Sequence, residues 1–229
     1  MNQKKCDLVK YLTGFITEDR RKLFKEKIND RTRHLTVVLE DIFQSRNISA
    51  SIRSADCFGI QDVHVIQNNN EFKDDPEVSM GASKWISIKH YNKKVSNTVD
   101  AINQLKNENY KIITTSPHKT DISLFELDVI ENKTAIIFGS EVNGCSKEAL
   151  ELADYKMNIP MYGFTESFNI SVSVSLCLQH LSYKIRNSKL NWQLNNKDKN
   201  EVMLKWLRES IRSSAEIEKQ FIKKQNIIY

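Results

Sequence analysis

Between residues 34 and 186, short runs of consecutive apolar and β-branched residues alternate with stretches whose apolar positions recur every three or four residues. The runs predict six strands: Leu35–Leu39, Val63–Ile66, Trp85–Ile88, Lys111–Thr115, Thr134–Phe138 and Lys156–Pro160. Several are apolar at successive positions, the pattern of strands covered on both faces. The helical spacing predicts helices over 47–58 (closed by Gly59), over 97–109 and over 146–153 with Ser146 as N-cap. A longer one runs from Asn169 to Arg186 with Ile170, Val174, Cys177, Leu178 and Leu181 on one stripe. Such alternation implies an α/β fold with a mainly parallel sheet flanked by helices. Outside it, 18–28 reads as a basic helix, 198–224 as one C-terminal helix and Asn187–Lys199 as a linker. The chain therefore divides into an extension over 1–33, a body over 34–186 and a second extension over 187–229.

Composition narrows the class. With 229 residues, 40% of them apolar, the chain can bury a sizeable core. No run approaches the ~18 apolar residues of a membrane helix. Met1–Asp7 lacks a signal-peptide pattern, so a soluble, cytoplasmic protein without a membrane partner is expected. Cys6, Cys57, Cys145 and Cys177 stand at neither disulfide-framework nor zinc-site spacing, and no metal is expected. The net charge of +5 is unevenly spread. Residues 1–33 carry ten Lys and Arg against five acids and residues 184–229 eleven against five, whereas the stretch between is acidic. Basic ends suit a polyanion, although two solvated Lys-rich helices would look the same.

Three segments could carry chemistry. In Asn47-Ile48-Ser49-Ala50-Ser51-Ile52-Arg53, Asn47 reads as the N-cap of its helix, and Arg53 sits among Ile52, Ala55 and Phe58. Both stand where ligands bind in open α/β sheets, yet a cap and a snorkelling Arg would account for them too. Phe138-Gly139-Ser140-Glu141-Val142-Asn143-Gly144-Cys145-Ser146 empties a strand into a loop with two glycines around a carboxylate. It is not a Walker loop or a dinucleotide fingerprint. Ile159-Pro160-Met161 through Ser167-Phe168-Asn169 leads from a strand into a helix whose Ser171, Ser173 and Ser175 would admit a close neighbour. Its amides and hydroxyls could clasp a ligand or merely cap the helix.

Together the three segments resemble the motifs of the SPOUT class of methyltransferases, and within it the TrmH family of tRNA 2′-O-ribose methyltransferases. Arg31–Glu40 is similar to the subgroup that methylates guanosine 18 of the tRNA D-loop. The resemblance implies a trefoil knot in the C-terminal half of the body and an obligate homodimer, with the helices after Asn47 and Asn169 at its interface. It implies S-adenosylmethionine as methyl donor, held by Thr115, Gly139, Ile159 and Phe168, the last where the family usually has Leu. Arg53 would activate the ribose hydroxyl, Asn47 would hold the substrate ribose or phosphate and orient Arg53, and Glu141, Ser167 and Asn169 would position the knot loops and the acceptor nucleotide. Arg20, Arg21, Arg31 and Arg33, with Lys205, Arg208 and Arg212, would grip the tRNA backbone, and no protein partner is implied. An enzyme acting on rRNA or another tRNA position, and an RNA-binding knot protein without activity, are the rival readings. The short segment before the first strand favours tRNA over rRNA, and intact Asn47, Arg53, Glu141 and Asn169 favour an enzyme.

Overall fold

A computed structural model of the chain describes residues 3–94, 96–117 and 120–227. In chain order the elements are α1 (Gln3–Thr13), α2 (Glu18–Lys27), β1 (Leu35–Glu40), α3 (Ser45–Cys57), β2 (Asp62–Ile66), α4 (Pro76–Ser79), β3 (Ser87–Tyr91) and α5 (Asn97–Asn107). They continue with β4 (Tyr110–Thr115), β5 (Ile122–Ser123), β6 (Lys133–Phe138), α6 (Lys147–Leu152), β7 (Tyr155–Asn158), α7 (Ile170–Arg186), α8 (Asn196–Ser210) and α9 (Ser214–Ile227). Residues 32–192 form one compact unit; the two chain ends, up to residue 31 and from residue 193, form another.

The body is a seven-stranded sheet of order β3-β2-β1-β6-β4-β7-β5, parallel throughout. Val37 lies opposite Val63 on one side and Ile136 on the other. Side chains alternate between two apolar layers. Val37, Leu39, Val63, Val65, Ile136 and Phe138 pack under α3 and α7, against Ile48, Ile52, Val174 and Leu178. Val38, Ile66, Ile112, Ala135 and Ile137 pack under α5 and α6, against Ala101, Ile102, Leu105 and Ala149. Coverage on both faces is the reason the strands read as unbroken apolar runs. The helices α3 and α7 approach closely enough for Ser54 Oγ and Ser175 Oγ to hydrogen-bond at 2.8 Å. The small side chains at 171–175 thus let one helix of the body lie against the other. Two later strands enter between earlier ones: β6 lies between β1 and β4, and β7 between β4 and β5. Their C-terminal ends carry the loops Gly139–Ser146 and Ile159–Asn169.

The terminal unit is helical. Leu12, Phe24, Ile28, Val202, Trp206 and Leu207 are buried in it, with the Phe24 and Trp206 rings 5.3 Å apart. The predicted single helix over 198–224 is two helices, because the backbone at Ile211 turns extended (φ −102°, ψ 116°) and Ser214 starts afresh. The strand predicted at Trp85 begins two residues later, since Trp85 closes a 3₁₀ turn over Ala82–Lys84. Among the described residues no helix is long and apolar enough to cross a membrane.

Candidate active site

A cavity of about 550 Å³ opens at the C-terminal ends of β4, β6 and β7. Thr115, Gly139, Ile159 and Phe168 line it, as do Glu141, Ser167 and Asn169. Its wall along β6 depends on Gly139, where an added Cβ would stand 2.1 Å from both Cys145 N and Gly144 C. The loop can therefore fold flat on the strand end only with glycine there. It closes as a small hairpin in which the Ser140 and Gly144 amides each donate to the other residue's carbonyl at 3.0 Å, with Gly144 at φ +67°. The Cys145 thiol donates to Thr115 O at 3.5 Å and to Ile137 O at 3.6 Å. Burial, then the nearby Glu40 charge, pushes that thiol up to about 12. It therefore stays protonated and weakly nucleophilic at neutral pH.

The two loops and the first turn of α3 are tied by one directional chain of hydrogen bonds. Ser171 donates to Asn169 Oδ1 from its amide (2.9 Å) and its hydroxyl (2.7 Å). Asn169 Nδ2 donates to Asn47 Oδ1 at 3.1 Å, and Asn47 Nδ2 donates to Glu141 Oε1 at 2.7 Å. The Phe43 amide donates to Glu141 Oε2 at 3.1 Å. Asn47 is consequently not the N-cap of α3: Gln44 occupies that place, and Asn47 sits in the first turn with its amide committed across the site. The cap of α7 is Asn169, and that of α6 is Ser146, which accepts from Ala149 N.

Arg53 lies elsewhere. It is exposed on α3, on the side away from the buried Ile48, Ile52 and Ala55, and it is not among the residues lining the cavity within one chain. The apolar setting expected for it is therefore corrected to a solvent-facing one. On α7, Val172, Leu176 and Tyr183 also face solvent.

The basic residues differ in burial and in what they touch. Arg31 is 6% exposed, with its guanidinium over the Trp206 ring, and Arg33 pairs with the buried Asp62 at 3.0 Å. Arg31 is buried, which corrects the expectation for it, whereas Arg33 is half-buried with its guanidinium turned to Asp62. Arg21 bonds Glu18 and Thr13 O, and Arg208 grips Glu218 through two bonds of 2.7 and 2.8 Å. Arg20 and Arg212 are exposed and Lys205 is half-buried. Sequence reasoning passed over Glu40, an acid closing an apolar strand and only 2% exposed. Its signal was a charge at a position where the strand pattern calls for an apolar side chain. Among the described residues no cluster of His, Cys, Asp and Glu could hold a metal ion.

A cavity at the C-terminal ends of a parallel sheet, walled by a loop that only glycine permits, is a ligand site of the kind open α/β folds build. The SpoU rRNA Methylase family matches residues 34–179, and the chain belongs to that family. Among its relatives is the tRNA (guanosine(18)-2′-O)-methyltransferase of Borreliella burgdorferi, 42% identical over 207 residues, or 90% of this chain and 93% of that one. A solved structure of the A. aeolicus TrmH/SpoU tRNA modifying enzyme superposes with a TM-score of 0.76 and 25% identity, over 85% of this chain and 98% of that one. The SpoU methyltransferase AviRb from Streptomyces viridochromogenes, solved in complex with AdoMet, shares the fold at a TM-score of 0.56 and 21% identity, over 72% and 62% of the two chains.

Proposed function

We propose that this chain transfers a methyl group from S-adenosylmethionine to the ribose 2′-OH of guanosine 18 in tRNA, acting as a homodimer. The observation that carries the reading is the chain Ser171–Asn169–Asn47–Glu141, which ties both strand-end loops at the cavity to the first turn of α3. The relative in Borreliella, similar over nearly the whole chain, bears that activity in its name. The insertion of β7 between β4 and β5 fits the knot that the family resemblance implies.

The cavity fits the donor. Its size falls in the range of small-molecule pockets, and Gly139 lets the Ser140–Cys145 loop lie flat on the strand end as its wall. Thr115, Gly139, Ile159 and Phe168 would hold the molecule, largely through backbone groups. When bound, it supplies an electrophilic methyl on a sulfonium. Cys145, kept as a thiol, does not compete for that methyl. A ribose hydroxyl must lose a proton and be aimed in line at the donor. Glu141 has both oxygens occupied, by Asn47 and the Phe43 amide, and so holds the loops. The Arg53 guanidinium stabilises the developing alkoxide, with a substrate phosphate taking the proton. Because Arg53 faces solvent outside the cavity, a second copy would bring it to the site, and the exposed Val172, Leu176 and Tyr183 of α7 are the surface on which the copies meet. Arg20, Lys205 and Arg212 would contact phosphates.

Arg53→Ala should lower turnover on tRNA by roughly 10²–10³, as loss of one donor to a transition-state charge does. Its affinity for S-adenosylmethionine, read by calorimetry, should stay within about threefold of wild type, well under the 1.4 kcal/mol of a tenfold change. Turnover close to wild type would defeat the assignment.

A further inference from the structure

We propose that Glu40 is a positioning residue for the methyl donor, setting where the Gly139–Ser146 loop ends. The inference rests on the methyl-transfer reading above. Glu40 closes β1 and is 2% exposed, between the starts of α5 and α6. Its Oε1 accepts from Thr98 Oγ1 and from Ser146 Oγ, both at 2.6 Å, and its Oε2 accepts from the Ser146 amide at 2.9 Å. All three donors are neutral, so the carboxylate is held by hydrogen bonds rather than by an opposing charge. Charged acceptors make the stronger hydrogen bonds.

The partner of these bonds gives Glu40 its effect on the site. Ser146 directly follows Cys145, whose backbone nitrogen lies against Gly139 in the cavity wall. Two of the three bonds fix Ser146, and through it the end of the loop. Farther up the same loop, Glu141 is held by the Phe43 amide and by Asn47. The short segment from Glu40 to Asn47 therefore grips the loop at two places. Glu40 holds its exit, and Phe43 with Asn47 hold its middle. Thr98 adds a tie to α5, which is remote from the donor pocket's lining.

Removing the carboxylate leaves the Ser146 amide and the Thr98 hydroxyl without their acceptor in a buried place, and the loop end becomes free to shift. Replacing it by an amide of the same shape does not. The Gln oxygen can keep the Ser146 amide, while the hydroxyls of Ser146 and Thr98 rotate to accept from the Gln nitrogen.

The test uses the full chain, with donor affinity by calorimetry and steady-state rates on unmodified tRNA. Glu40→Ala should raise both Kd and KM for S-adenosylmethionine by about tenfold or more, the order set by losing hydrogen bonds to a charged group. KM for tRNA should move less than about threefold, well under the 1.4 kcal/mol of a tenfold change. Glu40→Gln should restore donor affinity to within about threefold of wild type, and Thr98→Val, which removes the tie to α5 and the bond from Asn68 Nδ2 but leaves both Ser146 bonds in place, should match it. Donor affinity unchanged in Glu40→Ala, or a parallel loss for donor and tRNA that Gln does not rescue, would overturn the proposal. If Glu40→Ala fails to fold, Ser146→Ala decides: a selective rise in donor Kd supports the role and an unchanged Kd refutes it. Failure of wild-type protein to bind the donor at all would instead overturn the methyl-transfer reading, a result distinct from any of these.

Discussion

At Gly139 one methyl group would act on backbone rather than on a yielding side chain. Its Cβ would lie 2.1–2.2 Å from the atoms of Gly144 and Cys145, so the loop itself must move. Gly139→Ala should weaken donor binding at least tenfold while costing about 1–3 kcal/mol of stability, the range for overpacking; calorimetry and denaturant melts measure the two. An unchanged donor Kd would mean that the loop is not the donor's wall. Gly144 differs in kind. An added Cβ meets nothing within 4 Å there, and the constraint is its φ of +67°. Asn47 shows how far a residue can be read from sequence alone. Its type and place at a strand end marked it as important, but the same features suit an N-cap. Only the fold shows its amide spent on Glu141 and Asn169, 94 and 122 residues away.

The elements that sequence made legible are those whose burial is two-sided. Leu35–Glu40, Tyr110–Thr115 and Lys133–Phe138 hold runs of consecutive apolar residues (Val37–Leu39, Ile112–Ile113, Ala135–Phe138) because α3 and α7 cover one face and α5 and α6 the other. The short β5 (Ile122–Ser123) has two residues and no periodicity to detect. The helix α1 went unread because, among its lysines, Leu12 alone is fully buried. The break between α8 and α9 was invisible because apolar positions continue on both sides of it at helical spacing, and the backbone at Ile211 turns without a Gly or Pro. The donor loops were legible through their glycines. The exposure of Arg53 was not, because the apolar neighbours that suggested a buried setting lie on the opposite side of α3.

For the whole molecule, the two basic ends of the chain are parts of one helical unit, and part of their charge is spent inside it. Arg31 stacks on Trp206 and Arg208 closes on Glu218, while Arg20 and Arg212 are exposed and Lys205 is half-buried. Stability carries its own pH signature through His64, buried beside α5 with Nδ1 2.9 Å from the Tyr91 hydroxyl. Burial, then the Lys89 charge, lowers its pKa from 6.5 to about 3. The folded His64 stays neutral where the unfolded chain takes up a proton, so its contribution is intact above about pH 6.5 and is lost as the pH falls towards 3. At pH 5 the loss is about 2 kcal/mol, at 1.4 kcal/mol per pH unit. Denaturant melts at pH 7 and pH 5 should show it, and His64→Gln should flatten the dependence. Equal pH slopes for the two proteins would contradict the assignment.

A donor pocket that serves one sugar hydroxyl is tested most directly by one measurement. Wild-type protein is incubated with isotopically labelled S-adenosylmethionine and an unmodified tRNA transcript, and the labelled nucleotide is mapped. A single 2′-O-methyl group at guanosine 18, absent when that residue is supplied as the 2′-deoxy form, is the predicted result. Label on a base, at another position, or only on ribosomal RNA offered alongside would contradict it.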